Sequence, residues 1–239
     1  MRILNREVTM KIRGTEDGDG CRLTDRDHIL YVVIPCYNEE QVLKETAKRL
    51  KKKMESLLER KEISKKSKIL FVDDGSADGT WKIIKELNQE AGIFSGIKLA
   101  HNKGHQNALL AGMNQAGMKA DLVISMDADL QDDINAMDGM IQKYYQGNDI
   151  VYGVRKSRKK DSFFKRFTAE SFYKIMDALG VETVFNHADY RLLSKRAIKA
   201  LMDYSEVNLF LRGIIPQLAF KSAIVQEKLY GNLAKRKLQ

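Results

Sequence analysis

Five carboxylate or amide side chains lie within residues 126–133, MDADLQDD, directly after an apolar run. Asp127, Asp129 and Gln131 are spaced two residues apart, at the point where a buried strand is predicted to end. Their hard oxygen atoms suit Mg²⁺ or Mn²⁺ rather than Zn²⁺. A solvated turn is the alternative, so the surroundings of this cluster decide its role.

Two other kinds of ligand loop do not fit the sequence. In an EF-hand loop counted from Asp127, the glycine position holds Asp132 and the twelfth position holds Asp138 instead of glutamate. The run D-x-S-x-D-G at 74–79 has Lys85 as its twelfth residue. Neither a P-loop nor a G-x-G-x-x-G loop after the first strand is present. A carboxylate-bound metal that neutralises a nucleotide diphosphate is the interpretation that remains.

Short apolar runs alternate with helical patterns up to about residue 154. ILYVVI at 29–34 is nearly unbroken and rich in β-branched residues, as in a strand buried on both faces. The alternation predicts βαβ units in an α/β fold with a mostly parallel central sheet flanked by helices. Strands are predicted at 29–34, 68–72, 96–100, 121–126 and 148–153, and helices from Asn38 to about 58, at 80–88, 104–118 and 133–146.

Polar clusters follow three of these strands, with Asn38 in the first of them as the expected N-cap of the first helix. PCYNEE follows the first strand, DDGSADGT the second and DADLQDD the fourth. Ligands of parallel sheets bind beyond the carboxyl ends of the strands. The three clusters are therefore expected to meet at one edge of the sheet.

The regular alternation stops after residue 154. An amphipathic helix is predicted at 162–179 and a short extended segment at 188–193. Helices near 195–203 and 207–219 and a strand near 222–229 complete the pattern. Residues 1–28 are polar and irregular, and they are interpreted as a loosely ordered extension.

Composition restricts the class of protein and its partners. The 239 residues contain two cysteines, which is no disulfide framework and favours a reducing compartment. No window approaches the roughly 18 apolar residues of a membrane span, and the N-terminus lacks the apolar core of a signal peptide. The net charge of +9 predicts an anionic partner. Seven basic residues and three phenylalanines at 155–167 concentrate this charge.

Several segments, taken in their order along the chain, resemble a known family. VVIPCYNEEQVL, VDDGSADGT, NKGHQNALLAGM, MDADLQDD, YGVRKSR, FKRFTAESFY, ADYRLLSKRAIKAL and FLRGI together resemble glycosyltransferase family 2 with a GT-A fold. The polyprenyl-phosphate glycosyltransferases, which include dolichol-phosphate mannose synthases and bactoprenol glucosyltransferases, are the group they most resemble. The resemblance covers residues 29–231 and leaves a short basic tail at 232–239.

The resemblance implies a role for individual positions. It implies a nucleotide-sugar site at the carboxyl ends of the strands, formed by Pro35, Tyr37, Asn38, Glu39, Asp73, Asp74, Gly75, Asp127 and Ala128. Asp73 is expected to reach the base, with capping of the following turn as its alternative role. The implied metal ligands for Mg²⁺ or Mn²⁺ are Asp127, Asp129 and Gln131. The implied catalytic residues are Asp129, Asp189 and Arg191, and the acceptor phosphate or diphosphate is expected to meet Arg155, Arg158 and Arg212.

The implied reaction is metal-dependent transfer of a sugar, with inversion, from a nucleotide-sugar to a polyprenyl phosphate at the cytoplasmic face of a membrane. UDP-sugars are favoured as donors. A phosphate monoester is already anionic near pH 7 (second pKa about 6), so Asp189 is expected to orient a substrate more than to remove a proton. Asp133 and Ile134 stand where many members have paired prolines, so the next helix is expected to start differently.

The C-terminal sequence departs most from the family. YGNLAKRKLQ stands where the nearest members continue into two membrane helices, so the chain is interpreted either as a shortened form or as a peripheral protein. The basic and aromatic residues at 155–167 favour docking on an anionic membrane surface. Rival functions are transfer to a saccharide acceptor, an inactive GT-A scaffold and nucleic-acid binding. Nucleic-acid binding is disfavoured because the acidic cluster would repel a phosphate backbone, and a homo-oligomer stays possible.

Overall fold

A seven-stranded mixed sheet forms the centre of the protein. The structure is a computed structural model that describes residues 27–129, 131–155, 187–204 and 211–227. The strands are β1 (Leu30–Cys36), β2 (Lys68–Asp73), β3 (Phe94–Lys98), β4 (Leu122–Ser125), β5 (Ile150–Arg155), β6 (His187–Ser194) and β7 (Ser222–Glu227). Their order across the sheet is β3-β2-β1-β4-β6-β5-β7.

Strand β6 is the one described strand that runs against the others. It pairs antiparallel with β4 and with β5, whereas the β1–β2, β1–β4, β2–β3 and β5–β7 pairs are parallel. The prediction of a mostly parallel sheet is therefore confirmed. The extended segment predicted at 188–193 proves to be a central strand, and it brings Asp189 next to the end of β4.

Six helices among the described residues cover the two faces of the sheet. They are α1 (Leu43–Glu59), α2 (Thr80–Glu90), α3 (His105–Gly117), α4 (Ala136–Tyr145), α5 (Lys195–Met202) and α6 (Leu211–Gln217). Helices α1, α2 and α4 pack on one face, and α3, α5 and α6 on the other. None of these helices combines the length and apolar character that a membrane crossing requires.

Alternating side chains of the buried strands fill both cores. In β1, Val32 and Ile34 point into the core under α1, while Tyr31 and Val33 point into the core under α3. Every residue of this strand is buried, as its apolar run predicted. Gly112 lets α3 approach the sheet, because a Cβ atom there would lie 2.4 Å from Val33 Cγ1.

Several predicted boundaries differ from the structure. Helix α1 begins at Leu43, so the prediction of Asn38 as its N-cap is wrong; Asn38 instead has a positive φ of 55°. Strand β3 begins and ends two residues earlier than predicted. Helix α4 begins at Ala136, later than predicted, because the chain first forms a turn in which the Asp133 carboxylate accepts the Asn135 N–H. The helix predicted at 162–179 lies outside the described residues, as do residues 1–26 of the predicted extension and the tail at 232–239.

Candidate active site

A cavity of about 430 Å³ opens at the carboxyl ends of β1, β2 and β4, which lie side by side in the sheet. The three polar clusters meet there, as the βαβ pattern predicted. Nine of the predicted site residues line the cavity: Pro35, Tyr37, Glu39, Asp74, Asp127, Ala128, Asp129, Asp189 and Arg212. Five residues that were not predicted as site residues also line it: Cys36, Asn102, Gly104, His105 and Ala108.

The loops after β1 and β2 are bonded to each other. The Asn38 N–H donates to Ser76 Oγ at 3.0 Å, and the Gly79 N–H donates to the Glu40 carboxylate at 2.6 Å. Asn38 and Glu40 therefore connect the two loops through hydrogen bonds, and Asn38 does not line the cavity. Glu39, between them, lines the cavity.

Asp74 and Gly75 shape the loop that leads into α3. The Asp74 carboxylate accepts the N–H groups of Lys103 at 2.7 Å and Gly104 at 2.9 Å. Gly75 has a φ of 71°, and a Cβ atom there would lie 2.7 Å from the Asn102 nitrogen. Only glycine combines this conformation with such a close approach. The two residues thus position residues 102–104 along the cavity wall.

Asp73 is fully buried and does not line the cavity. One carboxylate oxygen accepts the Ser76 N–H at 3.1 Å, so the residue caps the following turn, which was the alternative role. Lys98 Nζ lies 3.8 Å from the other oxygen, Oδ2, for which the described residues supply no hydrogen bond. Contact between Asp73 and a nucleotide base stays a prediction.

The acidic turn after β4 brings several carboxylates close together. Burial, together with the charges of Asp132, Asp129 and Asp189, raises the pKa of Asp127 to about 6 against the opposing effect of His105. Burial also raises the pKa of Glu39, as do the charges of Asp129 and Asp127. Gln131 does not line the cavity, although its N–H donates to Asp129 Oδ1 at 3.1 Å.

This donor set fits a divalent cation. Crowded carboxylates with raised pKa values are stabilised in their charged form by a cation, and carboxylate oxygens are the ligands that Mg²⁺ and Mn²⁺ prefer. The described residues contain no group of three His, Cys, Asp or Glu side chains that could hold a metal by itself. Asp127 and Asp129 are the residues of this turn that line the cavity and would hold the cation.

Asp189 on β6 receives donors from several elements. Arg212 from α6 donates through Nε at 3.2 Å and Nη2 at 3.0 Å, and Gln106 from α3 donates at 3.3 Å. Arg191 donates from two residues further along β6, and His105 Nε2 lies 3.4 Å from Asp189 Oδ2. These hydrogen bonds and the arginine charges outweigh burial and hold the pKa of Asp189 well below its usual range. Asp189 is therefore a carboxylate at neutral pH and a poor general base.

The three predicted acceptor arginines and Arg191 differ in placement. Arg212 lines the cavity and its side chain is about half exposed. Arg191 is fully buried and does not reach the cavity surface. Arg155 ends β5, and its side chain is not among the described parts; Arg158 lies outside the described residues.

His105 was missed by the sequence analysis. It is the first residue of α3, and its Nε2 lies between Asp189 Oδ2 and Asp127 Oδ1, at 3.4 and 3.6 Å. The hydrogen bond to Asp189 raises the pKa of His105, although burial lowers it. The available signal was its position: the helix that follows a parallel strand begins at the same edge of the sheet as the acidic clusters.

Cys36 also lines the cavity, but its environment is that of a structural residue. Burial raises the pKa of its thiol well above the usual value, and the charges of Glu39 and Asp73 raise it further. A neutral buried thiol is a poor nucleophile. Cys36 is therefore a small buried residue of the cavity wall.

The sheet, its flanking helices and the acidic cavity at the strand ends define a GT-A fold, and comparisons with known proteins give the family. Residues 31–202 match the family model Glycosyl transferase family 2. The chain belongs to this family.

Two curated relatives and one solved structure illustrate the relationship. The uncharacterized glycosyltransferase YkoT of Bacillus subtilis (strain 168) is 52% identical over 197 residues, which cover 82% of this chain and 58% of that protein. The bactoprenol glucosyl transferase of Shigella phage SfV is 32% identical over 196 residues, which cover 82% of this chain and 61% of that protein. The chain thus spans about three fifths of the length of these relatives.

The mannosyltransferase PcManGT from Pyrobaculum calidifontis, solved with GDP-Man and Mn²⁺, superposes with a TM-score of 0.55. The two chains are 15% identical, and the match covers 88% of this chain and 60% of that one. At this identity the likeness concerns the fold. It agrees with the GT-A architecture predicted from the sequence.

Proposed function

We propose that this chain transfers a sugar from a nucleotide-sugar, with UDP-sugars favoured, to a polyprenyl phosphate at the cytoplasmic face of a membrane. The observation that carries the proposal is one cavity lined both by the acidic pair Asp127 and Asp129 and by the Asp189–Arg212 ion pair. The similarity to bactoprenol glucosyl transferases supports a polyprenyl-phosphate acceptor. Domain limits of 29–231 and peripheral attachment to the membrane belong to the same proposal.

The acidic side of the cavity is suited to the donor. Asp127 and Asp129, with Gln131 as the third predicted ligand, would hold Mg²⁺ or Mn²⁺, which when bound neutralises the charge of the leaving diphosphate. Pro35, Tyr37 and Glu39 would line the nucleotide pocket. Their placement on the wall next to the acidic turn supports this assignment.

The Asp189 side of the cavity is suited to the acceptor. Arg212 offers a half-exposed guanidinium whose orientation is fixed by two hydrogen bonds to Asp189. A guanidinium in a fixed orientation binds phosphate oxygens well. The acceptor oxygen is already anionic, so the low pKa of Asp189 agrees with a role in holding Arg212 rather than in removing a proton. Inversion at the anomeric carbon, which the family resemblance implies, corresponds to a single displacement by the acceptor oxygen.

A transfer assay tests the proposal. Radiolabelled UDP-glucose, UDP-N-acetylglucosamine and GDP-mannose are each incubated with undecaprenyl phosphate, with and without Mn²⁺. We expect an organic-extractable, acid-labile product that requires metal and is lost in Asp129→Ala. Asp203→Ala, which removes an exposed carboxylate at the end of α5, is the matched control and should keep the parent activity. Activity of Asp129→Ala near that of the control would contradict the metal assignment.

The same assay separates the alternatives. Label that enters a water-soluble saccharide and no lipid would favour a saccharide acceptor. Neither transfer nor hydrolysis with any donor would favour an inactive scaffold. Attachment to the membrane is tested separately by flotation with anionic liposomes, where absence of binding at low salt would refute it.

A further inference from the structure

Two buried hydroxyl groups from different elements hold the acidic turn at 127–133. Thr46 on α1 donates from Oγ1 to the Ala128 carbonyl at 2.7 Å. Tyr190 on β6 donates from its hydroxyl to the Asp133 carbonyl at 3.0 Å. Both side chains are fully buried. One acceptor thus lies between the two acidic residues of the candidate metal site, and the other lies at the far end of the turn.

Both hydroxyl groups are presented by well-packed elements. Thr46 lies on the face of α1 that packs in the core, next to Ala47. The ring of Tyr190 occupies space left by Gly153 on β5, where a Cβ atom would lie 2.8 Å from Tyr190 Cδ1. The Thr46 hydroxyl is also 3.1 Å from the Val42 carbonyl, but its single proton favours the shorter contact with Ala128.

The bonds within the turn do not tie it to the rest of the fold. The Met126 N–H, bonded to the β1 carbonyl of Val33 at 3.2 Å, is the last sheet contact before the turn. Asp132 and Asp129 then accept N–H groups of the turn itself, from Asp127 and Gln131. These local bonds shape the turn, whereas the two hydroxyl groups connect its backbone carbonyls to α1 and β6.

We propose that Thr46 and Tyr190 are positioning residues for a divalent cation bound at Asp127 and Asp129. They hold the backbone that carries the two carboxylates, and they do not contact the cation. The proposal rests on the metal assignment in the proposed function. A buried hydrogen bond contributes only a modest free energy to holding the turn in place. Loss of either hydroxyl should therefore weaken Mn²⁺ binding about threefold to tenfold.

The variants remove the hydroxyl groups with little change in shape. Thr46→Val and Tyr190→Phe each delete one hydrogen bond to the turn, and Thr46→Ser keeps the hydroxyl and should restore binding. Tyr145→Phe is the matched control. Tyr145 is a buried tyrosine of α4 whose hydroxyl donates to the Glu62 carbonyl at 2.9 Å, away from the acidic turn. Tyr145→Phe should lose about as much stability as Thr46→Val and Tyr190→Phe, while its Mn²⁺ affinity should stay unchanged.

Mn²⁺ binding is measured by the electron paramagnetic resonance signal of the free ion, with UDP at a fixed excess and a protein-free blank. Thermal unfolding without metal reports the stability of each variant separately. Weaker binding in Thr46→Val and Tyr190→Phe, with normal binding in Thr46→Ser and Tyr145→Phe, would support the proposal. If Asp129→Ala has lost Mn²⁺ binding but Thr46→Val and Tyr190→Phe both bind Mn²⁺ like the parent, the positioning role of the two hydroxyl groups is overturned and the metal assignment stands. Equal binding in the parent and Asp129→Ala would overturn the metal assignment and the proposal together.

Discussion

Removal of the Asp189 carboxylate should strongly destabilise the fold. Arg191 is fully buried and donates to Asp189, and its Nε and Nη1 find no hydrogen-bond acceptor among the described residues. Asp189→Ala therefore leaves a buried guanidinium without its carboxylate partner, at a cost of about 3–5 kcal/mol. Because the free energy of unfolding of natural domains is about 5–15 kcal/mol, the variant should lose a large part of its stability.

Two further variants isolate the buried pair from the exposed one. Arg212→Gln removes the half-exposed partner of the same carboxylate, and it should cost less than about 1 kcal/mol. The double variant Asp189→Ala/Arg191→Met removes both members of the buried pair and keeps an apolar side chain of similar length. It should recover most of the lost stability, since buried ion pairs are often replaced by apolar groups at little cost.

Urea unfolding followed by circular dichroism gives the free energy of unfolding of the four proteins. Comparable slopes with denaturant would show that the variants unfold between the same states. Two results would refute the reasoning. One is a stability of Asp189→Ala within about 1 kcal/mol of the parent. The other is a double variant that is no more stable than the single one.

Three more predictions concern activity, packing and pH. Arg212→Lys keeps the charge but loses the paired donors to Asp189, so kcat/KM should fall about tenfold or more in the transfer assay, with little change in melting temperature. Unchanged kcat/KM would exclude a bidentate role. Gly112→Ala should cost about 1–3 kcal/mol in urea unfolding, because its Cβ atom would lie 2.4 and 2.8 Å from valines of β1 and β2. Gly92→Ala, which has nothing within 4 Å, should stay within about 0.5 kcal/mol of the parent. Because the pKa of Asp189 is lowered, its contribution is complete above the ordinary aspartate pKa and is lost as the pH falls below about 4. The parent should therefore lose more stability on acidification than Asp189→Asn, and parallel pH profiles would contradict this.

The strand ends and the acidic cavity could be predicted because they depend on local patterns. An unbroken apolar run such as 29–34 indicates a strand buried on both faces, and parallel strands place their carboxyl ends together. The polar residues that follow β1, β2 and β4 were therefore expected at one place. The pattern did not distinguish residues that face the cavity, such as Glu39, from residues that join the loops, such as Asn38 and Glu40.

The surroundings of Asp189 could not be predicted from the sequence pattern. They depend on the insertion of β6 between β4 and β5, which pairs Ser125 with Arg191 across a long stretch of chain. Ser125 Oγ also donates to the Asp189 carbonyl at 2.6 Å, which connects β6 to the strand that carries the acidic turn. Sequence periodicity reports which residues form a strand but not which strands become neighbours.

The reversed direction of β6 determines where the chain leaves and re-enters the described sheet. Strand β5 reaches the cavity edge at Arg155, and β6 starts from the same edge at His187, where His187 is the register partner of Val154. The two ends of segment 156–186 therefore lie on neighbouring, paired strands of the described sheet. Replacing 156–186 with the corresponding segment of a relative should therefore leave the pairing of β5 with β6 and the acidic cavity in place, and the exchanged protein should keep the free energy of unfolding of the parent within about 1 kcal/mol in urea.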